Sequence, residues 1–378
     1  MTVEITQYNA ICNLGESIDE IYSNALLGIS NKFDINTNII QNKAVRIGQI
    51  HTNLPKIKDN DFNLRCNQLL LKCLKHIDIN SVIQKYGKDN IAVVVATTNT
   101  GVEEFETSNN LKHAQIGNPA KFIHNYLGLG NFYTSVSTAC SSGIKAISIA
   151  KNLIESEIFQ AVIVAGVDSI AKVPIFGFDS LGILSGNSTN PFSKNRCGIN
   201  IGEGAGIFIL EKSFNKGINI LGIGENTDTY HSTSPDPMAT ESIKCIEQAL
   251  NNANLKPKDI EYINLHGTGT IANDQMEAFA INTVFGSNVL CSSTKPLTGH
   301  CLGAAATIEI ALCCKLLDSF NGHVLPHVYD GDYDTTIKPL KLATIVDTLS
   351  KMENCLSLSF GFGGTNAAII LNKGGKNA

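Results

Sequence analysis

A run of β-forming residues, Tyr133 to Val136, stops at Ser137-Thr138-Ala139-Cys140-Ser141-Ser142-Gly143, and an amphipathic helical pattern follows at once from Ile144 to Ile154. Gln160 to Gly166 then reads as a buried strand, apolar after its first residue. A strand, a helix and a second buried strand in that order require a parallel crossover, so the chain reads as α/β. The same step sets Cys140 in the first turn of the expected helix. Unpaired N–H groups there carry partial positive charge, which predicts a lowered thiol pKa and a nucleophilic thiolate. A cysteine packed as a small hydrophobe is the alternative for that position.

The chain has 378 residues, 43% hydrophobic and 17% charged, enough to bury a large core as one domain or two fused halves. No basic stretch followed by an apolar one opens the sequence, and the most apolar long segment, Gly303 to Leu317, is interrupted by Glu309 and Lys315. Neither a signal peptide nor a membrane span is expected. The 11 cysteines form no C-x-x-C pair and lie scattered in apolar runs, which argues against a disulfide framework or a zinc site and for the cytoplasm. A net charge of -5 argues against general nucleic-acid binding.

Residues 1–90 carry little recognisable chemistry, with a modest helical pattern from Leu64 to Ile77. Ile91 to Thr97 reads as a buried strand followed by a polar segment, Thr98 to Phe105. Gly202, Gly204 and Gly206 precede the strand Ile207 to Leu210, the wrong order for a dinucleotide loop; close backbone packing explains them better. After about residue 213 the pattern starts again. Strands are expected at Ile218–Ile223, Ile260–Leu265, Val289–Ser292, Cys355–Phe360 and Ala367–Leu371. Helices are expected at Thr240–Ala253, Asp274–Phe285 and Gly299–Leu317. The step TGHCLGAAATIEIALCCKLL is similar to TACSSGIKAISIAKNLI, with His300 in the place of Cys140, so the sequence suggests two duplicated halves, residues 1–213 and 214–378.

Cys140, His266 in LHGTGT and His300 in KPLTGH thus fall on loops at strand ends, where α/β sheets place ligands. One thiol and two imidazoles suit thioester chemistry: the sulfur accepts an acyl group, and neutral imidazoles donate hydrogen bonds to a carbonyl oxygen that becomes an enolate. A zinc site made of the same three residues is the competing reading.

The motifs TACSSG, FDSLGILS, PFSKNRCGINIGEGAG, EYINLHGTGTIANDQME, STKPLTGHCLGAAATIE and SFGFGGTNAAI together resemble the β-ketoacyl-(acyl carrier protein) synthases of the thiolase superfamily, from about Ile91 onward. The resemblance implies a five-layered α-β-α-β-α fold and an acyltransferase that carries out a decarboxylating Claisen condensation in fatty-acid or polyketide-type, including aryl-polyene-type, biosynthesis. It implies Cys140 as the acyl-accepting nucleophile, His266 and His300 as the pair that supports malonyl decarboxylation, and Lys295 with Glu309 as the active-site lysine and its acidic partner. Thr268 and Thr270 resemble the threonines that hydrogen-bond the pantetheine arm. Phe362 resembles a gating phenylalanine whose N–H joins that of Cys140 in an oxyanion hole. No cofactor or metal is implied beyond the phosphopantetheine of an acyl carrier protein, the expected partner, together with a homodimer or a related second subunit. Arg65 is the candidate for a basic docking patch.

Lys295 and Glu309 could equally be a buried pair that only fixes its loop. Asp274 and Glu277, one turn apart, are expected to satisfy backbone groups. The N-terminus lacks the family's usual strand ending in a Gly-rich turn, and Ser193 stands where an Asp is usual. A non-catalytic chain-length-factor-like subunit would share the fold, but Cys140 and both histidines argue against it.

Overall fold

The computed structural model describes residues 2–130, 132–214 and 216–374. In chain order the first half comprises β1 (Val3–Cys12), α1 (Ile18–Leu26), β2 (Asp34–Ile40), β3 (Lys43–Gly48), α2 (Arg65–Leu74), α3 (Ile79–Tyr86), β4 (Ile91–Ala96), α4 (Val102–Ser108), α5 (Asn118–Leu127), β5 (Tyr133–Val136), α6 (Ser142–Glu155), β6 (Ala161–Asp168), α7 (Lys172–Ser180), β7 (Ile201–Gly202) and β8 (Gly204–Lys212). There follow β9 (Ile218–Thr227), α8 (Thr240–Ala253), β10 (Tyr262–Asn264), α9 (Ile271–Phe285), β11 (Leu290–Ser292), α10 (Lys295–Thr298), α11 (Ala305–Asp318), β12 (Lys341–Leu342), β13 (Asn354–Gly361) and β14 (Thr365–Lys373).

An eleven-stranded sheet runs β12-β11-β10-β13-β14-β9-β1-β8-β6-β4-β5. Its two sides repeat one plan. The set β5-β4-β6-β8-β1 and the set β11-β10-β13-β14-β9 each read third, second, fourth, fifth, first in chain order. In each set the fifth strand is antiparallel to both neighbours, and the second is parallel to the third and the fourth. The duplication suggested by the two loop-to-helix steps is therefore present in the topology.

Strand periodicity divides the core into layers. Ala92 and Val94 of β4, with Val162 and Val164 of β6, face an inner core that also holds α6, α11 and residues of the other side such as Tyr262, Cys355 and Ile369. Ile91, Val93, Val95 and Ile163 face outward onto α2 and α5. Across the molecule, Ile263, Leu356 and Ile370 face α8 and α9. This is the five-layered α-β-α-β-α arrangement of the thiolase fold, with α6 and α11 as the middle layer. Helix α8 shows why its sequence forms an outer helix: its buried residues Ser242, Cys245, Ile246, Ala249 and Leu250 recur every three or four positions.

Two expectations need correction. The N-terminus does supply a strand: β1 sits between β8 and β9, joins the two sides, and ends in a tight turn with reciprocal Cys12 and Gly15 hydrogen bonds. Its Gln7 and Asn9 interrupt the apolar run and hide it in the sequence; Asn9 is buried because its side chain reaches the Cys73 carbonyl. The helix expected over Gly299–Leu317 is broken. Helix α10 ends at Thr298, Gly299 and Leu302 take φ of 72° and 52°, and α11 starts only at Ala305. Among the described residues, no helix is long and apolar enough to cross a membrane.

The middle layer is drawn tight by one threonine. A Cβ at Gly143 would lie 2.9 Å from Thr307 Cγ2 and 2.9 Å from Ala306 Cβ; one at Gly166 would lie 2.6 Å from Thr307 Cγ2, and one at Gly206 would lie 2.8 Å from Thr307 Cβ. Thr307 of α11 therefore fills a socket of three glycines contributed by α6, β6 and β8. Gly166→Ala is expected to cost about 1–3 kcal/mol by overpacking. Adding Thr307→Ala should return most of that loss, and chemical denaturation of both single variants and the double variant measures the coupling. Additive losses would place the strain elsewhere.

Candidate active site

Cys140 lies two residues before α6, directly after Ala139, which takes a left-handed φ of 52°. That turn lifts the cysteine off the end of β5, and the Ser359 hydroxyl pins its carbonyl at 2.7 Å. His300 also follows a left-handed residue, Gly299. Its backbone is held on both sides, its N–H bonding to the Asn200 carbonyl at 2.7 Å and its carbonyl accepting from Gly202 N–H at 3.0 Å. The glycines of β7 and β8 thus serve close packing, as expected: a Cβ on Gly202 would strike the Cys301 sulfur at 2.9 Å. His266 follows β10, and its N–H and that of Gly267 are bound by the two oxygens of Glu277, at 2.6 and 2.7 Å. Asp274 accepts similarly from Phe192 and Gly269. Both carboxylates therefore satisfy backbone groups, as anticipated, and hold the HGTGT loop.

These loops bring the three groups together. Cys140 Sγ is 2.9 Å from His300 Nε2, and the imidazoles of His266 and His300 meet edge to face with centroids 5.6 Å apart. All three residues are at least nine-tenths buried. Behind them Lys295 Nζ bonds Glu309 Oε1 at 2.6 Å, approaches His266 Nδ1 at 3.3 Å and donates to the His266 carbonyl.

Hydrogen bonds assign the imidazole protons. The Leu302 N–H donates to His300 Nδ1 at 2.9 Å, so that nitrogen is an acceptor and the proton of a neutral ring sits on Nε2, facing the sulfur. Lys295 does the same at His266 Nδ1. Burial, reinforced by Lys295, lowers the His300 pKa to about 3 and holds that of His266 well below its usual value, so both rings are neutral donors near pH 7.

The expected low thiol pKa is not found. Burial pushes the Cys140 thiol up to about 11, against smaller opposing effects of Lys295 and the Phe362 N–H. A desolvated sulfur loses more from leaving water than these groups return. Burial likewise raises the Glu309 carboxyl, against the pull of Lys295.

Around the sulfur, one cavity is lined by Cys140, His266, Thr268, Thr270, His300, Phe360 and Phe362, and has a volume of about 600 Å³. The hydroxyls of Thr268 and Thr270 lie 3.0 Å apart along its wall. A second, more apolar cavity meets Cys140 from the other side, between Phe178, Leu181, Leu302 and Phe362. Phe362 borders both, about a third exposed, with its ring 5.5 Å from that of Phe178. Phe360 instead packs edge-on against His266 at 6.1 Å. The sequence places both rings on one side; β13 ends at Gly361, so they diverge while both still line the cavity.

Arg65, the candidate for a docking patch, is not a free surface charge. Its guanidinium is paired with the fully buried Glu203, at 2.8 Å from Nε, and also bonds the Ile50 carbonyl. Leu302 and Ser359, which hold His300 and Cys140 in place, went unnoticed in the sequence because they act through a backbone N–H and a bond 219 residues distant. The donor atoms of Cys140, His266 and His300 lie within 4.8 Å of one another. A tetrahedral zinc would hold sulfur and nitrogen roughly 3.5 Å apart, and the 2.9 Å contact is that of a direct hydrogen bond instead.

Alkylation of Cys140 by iodoacetamide is expected to accelerate about tenfold per pH unit from about pH 7 to about pH 10, followed by peptide mapping, because the thiolate fraction rises until the pH reaches the thiol pKa. A plateau below about pH 8 would contradict the dominance of burial.

Residues 71–214 match the beta-ketoacyl synthase N-terminal domain, and residues 218–328 match its C-terminal domain. The 3-oxoacyl-[acyl-carrier-protein] synthase 2 of Coxiella burnetii is 33% identical over 259 residues, an alignment spanning 63% of this chain and 61% of that protein, less than two thirds of its length. A chain from the structure of a ketosynthase in complex with its chain length factor, from Xenorhabdus doucetiae, is 35% identical with a TM-score of 0.93, covering 98% of both chains. A beta-ketoacyl synthase from Burkholderia phymatum, 23% identical with a TM-score of 0.89 over 99% of this chain and 100% of its own, shares the fold.

Proposed function

The chain belongs to the β-ketoacyl synthase family, and from that premise we propose that it is a 3-oxoacyl-(acyl carrier protein) synthase in which Cys140 takes up an acyl group and condenses it with a malonyl unit. The observation that carries the reading is the contact of Cys140 Sγ with the Nε2–H of a neutral His300, beside a second neutral imidazole, at the meeting point of two cavities.

In the first half-reaction the Cys140 sulfur attacks the thioester carbonyl of an acyl-pantetheine lying along Thr268 and Thr270. The N–H groups of Cys140 and Phe362 receive the oxyanion, the acyl–sulfur bond to the carrier breaks, and the thiol proton leaves with the pantetheine sulfur. A protonated resting thiol suits this exchange, since one thiol replaces another and no net proton is consumed. The hydrogen bond from Nε2–H stabilises the sulfur as charge develops. In the second half-reaction malonyl-pantetheine occupies the first cavity. Carbon dioxide departs, and the electron pair it leaves forms an enolate whose oxygen accepts from the Nε2–H groups of His266 and His300. The enolate carbon then attacks the acyl thioester on Cys140, the carbon–sulfur bond to Cys140 breaks as the ketone carbonyl re-forms, and the released sulfur takes a proton from water to restore the thiol. Lys295, held by Glu309, keeps His266 neutral and oriented, and Phe362 stands between the malonyl and acyl sides as a gate.

We assign residues 1–213 to the half bearing Cys140 and residues 214–378 to the half bearing His266 and His300. An acyl carrier protein is the proposed partner, with phosphopantetheine entering as part of the substrate and no separate cofactor. The likeness to a chain of a ketosynthase–chain length factor complex supports a dimer, with a second copy or a related subunit. Unpaired cysteines throughout the described residues support a reducing compartment, the cytoplasm. The chain-length-factor alternative is not favoured, because the nucleophile and both histidines converge.

Replacing His266 or His300 by Ala is expected to slow condensation by roughly a hundredfold or more, the usual loss on removing one oxyanion donor, while acyl transfer to Cys140 suffers less. Intact mass after incubation with acyl carrier protein thioesters reads acylation, and carbon dioxide release reads the second step. Equal losses in both steps would refute the assignment. Phe362→Ala keeps the backbone donor and removes the ring; it should leave folding and acyl transfer in place but blur the choice between acyl and malonyl carriers. A fall of about 3–5 kcal/mol in stability with selectivity intact would mark it as a core residue instead.

A further inference from the structure

Asp168 closes β6, is wholly buried, and is surrounded only by donors. Its Oδ1 accepts from the Thr97 hydroxyl at 2.8 Å, Thr98 N–H at 2.9 Å and Asn99 N–H at 2.7 Å. Its Oδ2 accepts from the Thr98 hydroxyl at 2.7 Å, from the shared Thr98 N–H at 3.1 Å and, across the boundary between the two halves, from the Gly303 N–H at 2.7 Å. The contact leaves no slack: a Cβ on Gly303 would sit 2.8 Å from Oδ2 and 2.9 Å from Thr98 N. The residue before Gly303 is Leu302, a non-glycine held at φ 52°, whose N–H is the donor to His300 Nδ1. The peptide that fixes the histidine's proton is therefore anchored one residue further on by a carboxylate from the opposite half.

We propose that Asp168 is a positioning residue that, through the Gly303 N–H, holds Leu302 in its left-handed conformation and so keeps His300 in the tautomer with its proton aimed at Cys140. Without that anchor Leu302 relaxes toward ordinary φ and its N–H leaves Nδ1, because a branched residue does not rest in the left-handed region unsupported. Either ring nitrogen then carries the proton, and a ring with a bare Nε2 cannot donate to an enolate. The same carboxylate orders Thr98 and Asn99, which line the second cavity, so the acyl side and the histidine are registered against one another by a single group. This inference rests on the donor role proposed for His300, and its test separates the two.

Asp168→Asn is nearly isosteric but offers only one acceptor oxygen. Two backbone N–H groups converge on Oδ1, at 2.9 and 2.7 Å, whereas at Oδ2 only the Gly303 N–H comes that close, the Thr98 N–H lying at 3.1 Å and the Thr98 hydroxyl being free to rotate and accept. The amide oxygen will therefore take the Oδ1 place and turn its NH2 group against Gly303 N–H, cutting the anchor to His300 selectively. Nitrogen-15 NMR of histidine-labelled protein, assigned with His300→Ala, is expected to show His300 as a single Nε2–H tautomer in the parent and as a mixture in Asp168→Asn. Carbon dioxide release from malonyl carrier protein should fall about a hundredfold, as for a displaced reacting group, with Cys140 acylation within a few-fold of the parent. If Asp168→Asn does not fold, Gly303→Ala, which pushes against Oδ2, should give the same signature. An unchanged tautomer in the folded variant, or equal loss in both half-reactions, overturns the proposal. A shifted tautomer with undiminished decarboxylation upholds the anchor and overturns instead the role given to His300.

Discussion

Everything in this site depends on how closely α6 and α11 approach one another. Cys140 precedes one helix and His300 precedes the other, so the 2.9 Å between them is set by the separation of two secondary-structure elements rather than by flexible side chains. Thr307 in its socket of glycines fixes that separation, and a side chain at Gly143, Gly166 or Gly206 would force it open. Close packing here has a chemical consequence, because opening the two helices by more than about an ångström would take the imidazole out of hydrogen-bond reach of the sulfur, and a close-packed interior resists that.

Electrostatics at the site runs opposite to an ion-pair mechanism. Burial disfavours charge on the thiol and on both imidazoles alike, and the charge that remains belongs to Lys295 and Glu309, paired with each other behind His266. The lysine's field discourages protonation of the histidines and favours negative charge on sulfur, so one cation acts on the two residue types in useful directions. Neutral donors are pre-oriented toward the places where negative charge forms during reaction, which is where such stabilisation contributes most.

The sequence was most legible where local pattern and tertiary role agree. Helix α8 begins and ends where its periodicity does, and the apolar strands β4 and β6 are uninterrupted because both of their faces are covered. Cys140, His266 and His300 could be found because each adjoins a glycine-rich or threonine-rich loop at a strand end. Legibility failed where the determining contact is distant or made by backbone. Polar residues in β1 disguised a central strand whose asparagine is satisfied by Cys73, far away in sequence. The break after α10 follows from left-handed backbone at Gly299 and Leu302, and nothing in the side chain of Leu302 announces it. Arg65 looked like a surface charge because its partner, Glu203, lies in a motif read only for its glycines. The raised thiol pKa required knowing the depth of burial, which a local helix argument does not contain. Asp168 did leave a trace, as an acidic residue closing a wholly apolar strand.

The position of β1 bears on how the chain reaches its folded state. Val3 pairs with Lys212 on one side and with Ile220 on the other, so this strand finds its neighbours only after roughly 200 further residues have been made. At synthesis rates of about 5–20 residues per second it waits on the order of 10–40 s with both edges open. Long-range pairing of this kind slows folding and leaves an unpaired edge available to other chains. The buried polar residue Glu4 limits that hazard, since its carboxylate is not content beside the apolar strand of a stranger, yet it is bonded once the connection between β8 and β9 arrives with Ser213 and the Phe214 N–H; Asn9 is satisfied earlier in the chain, by Ile18 and Cys73.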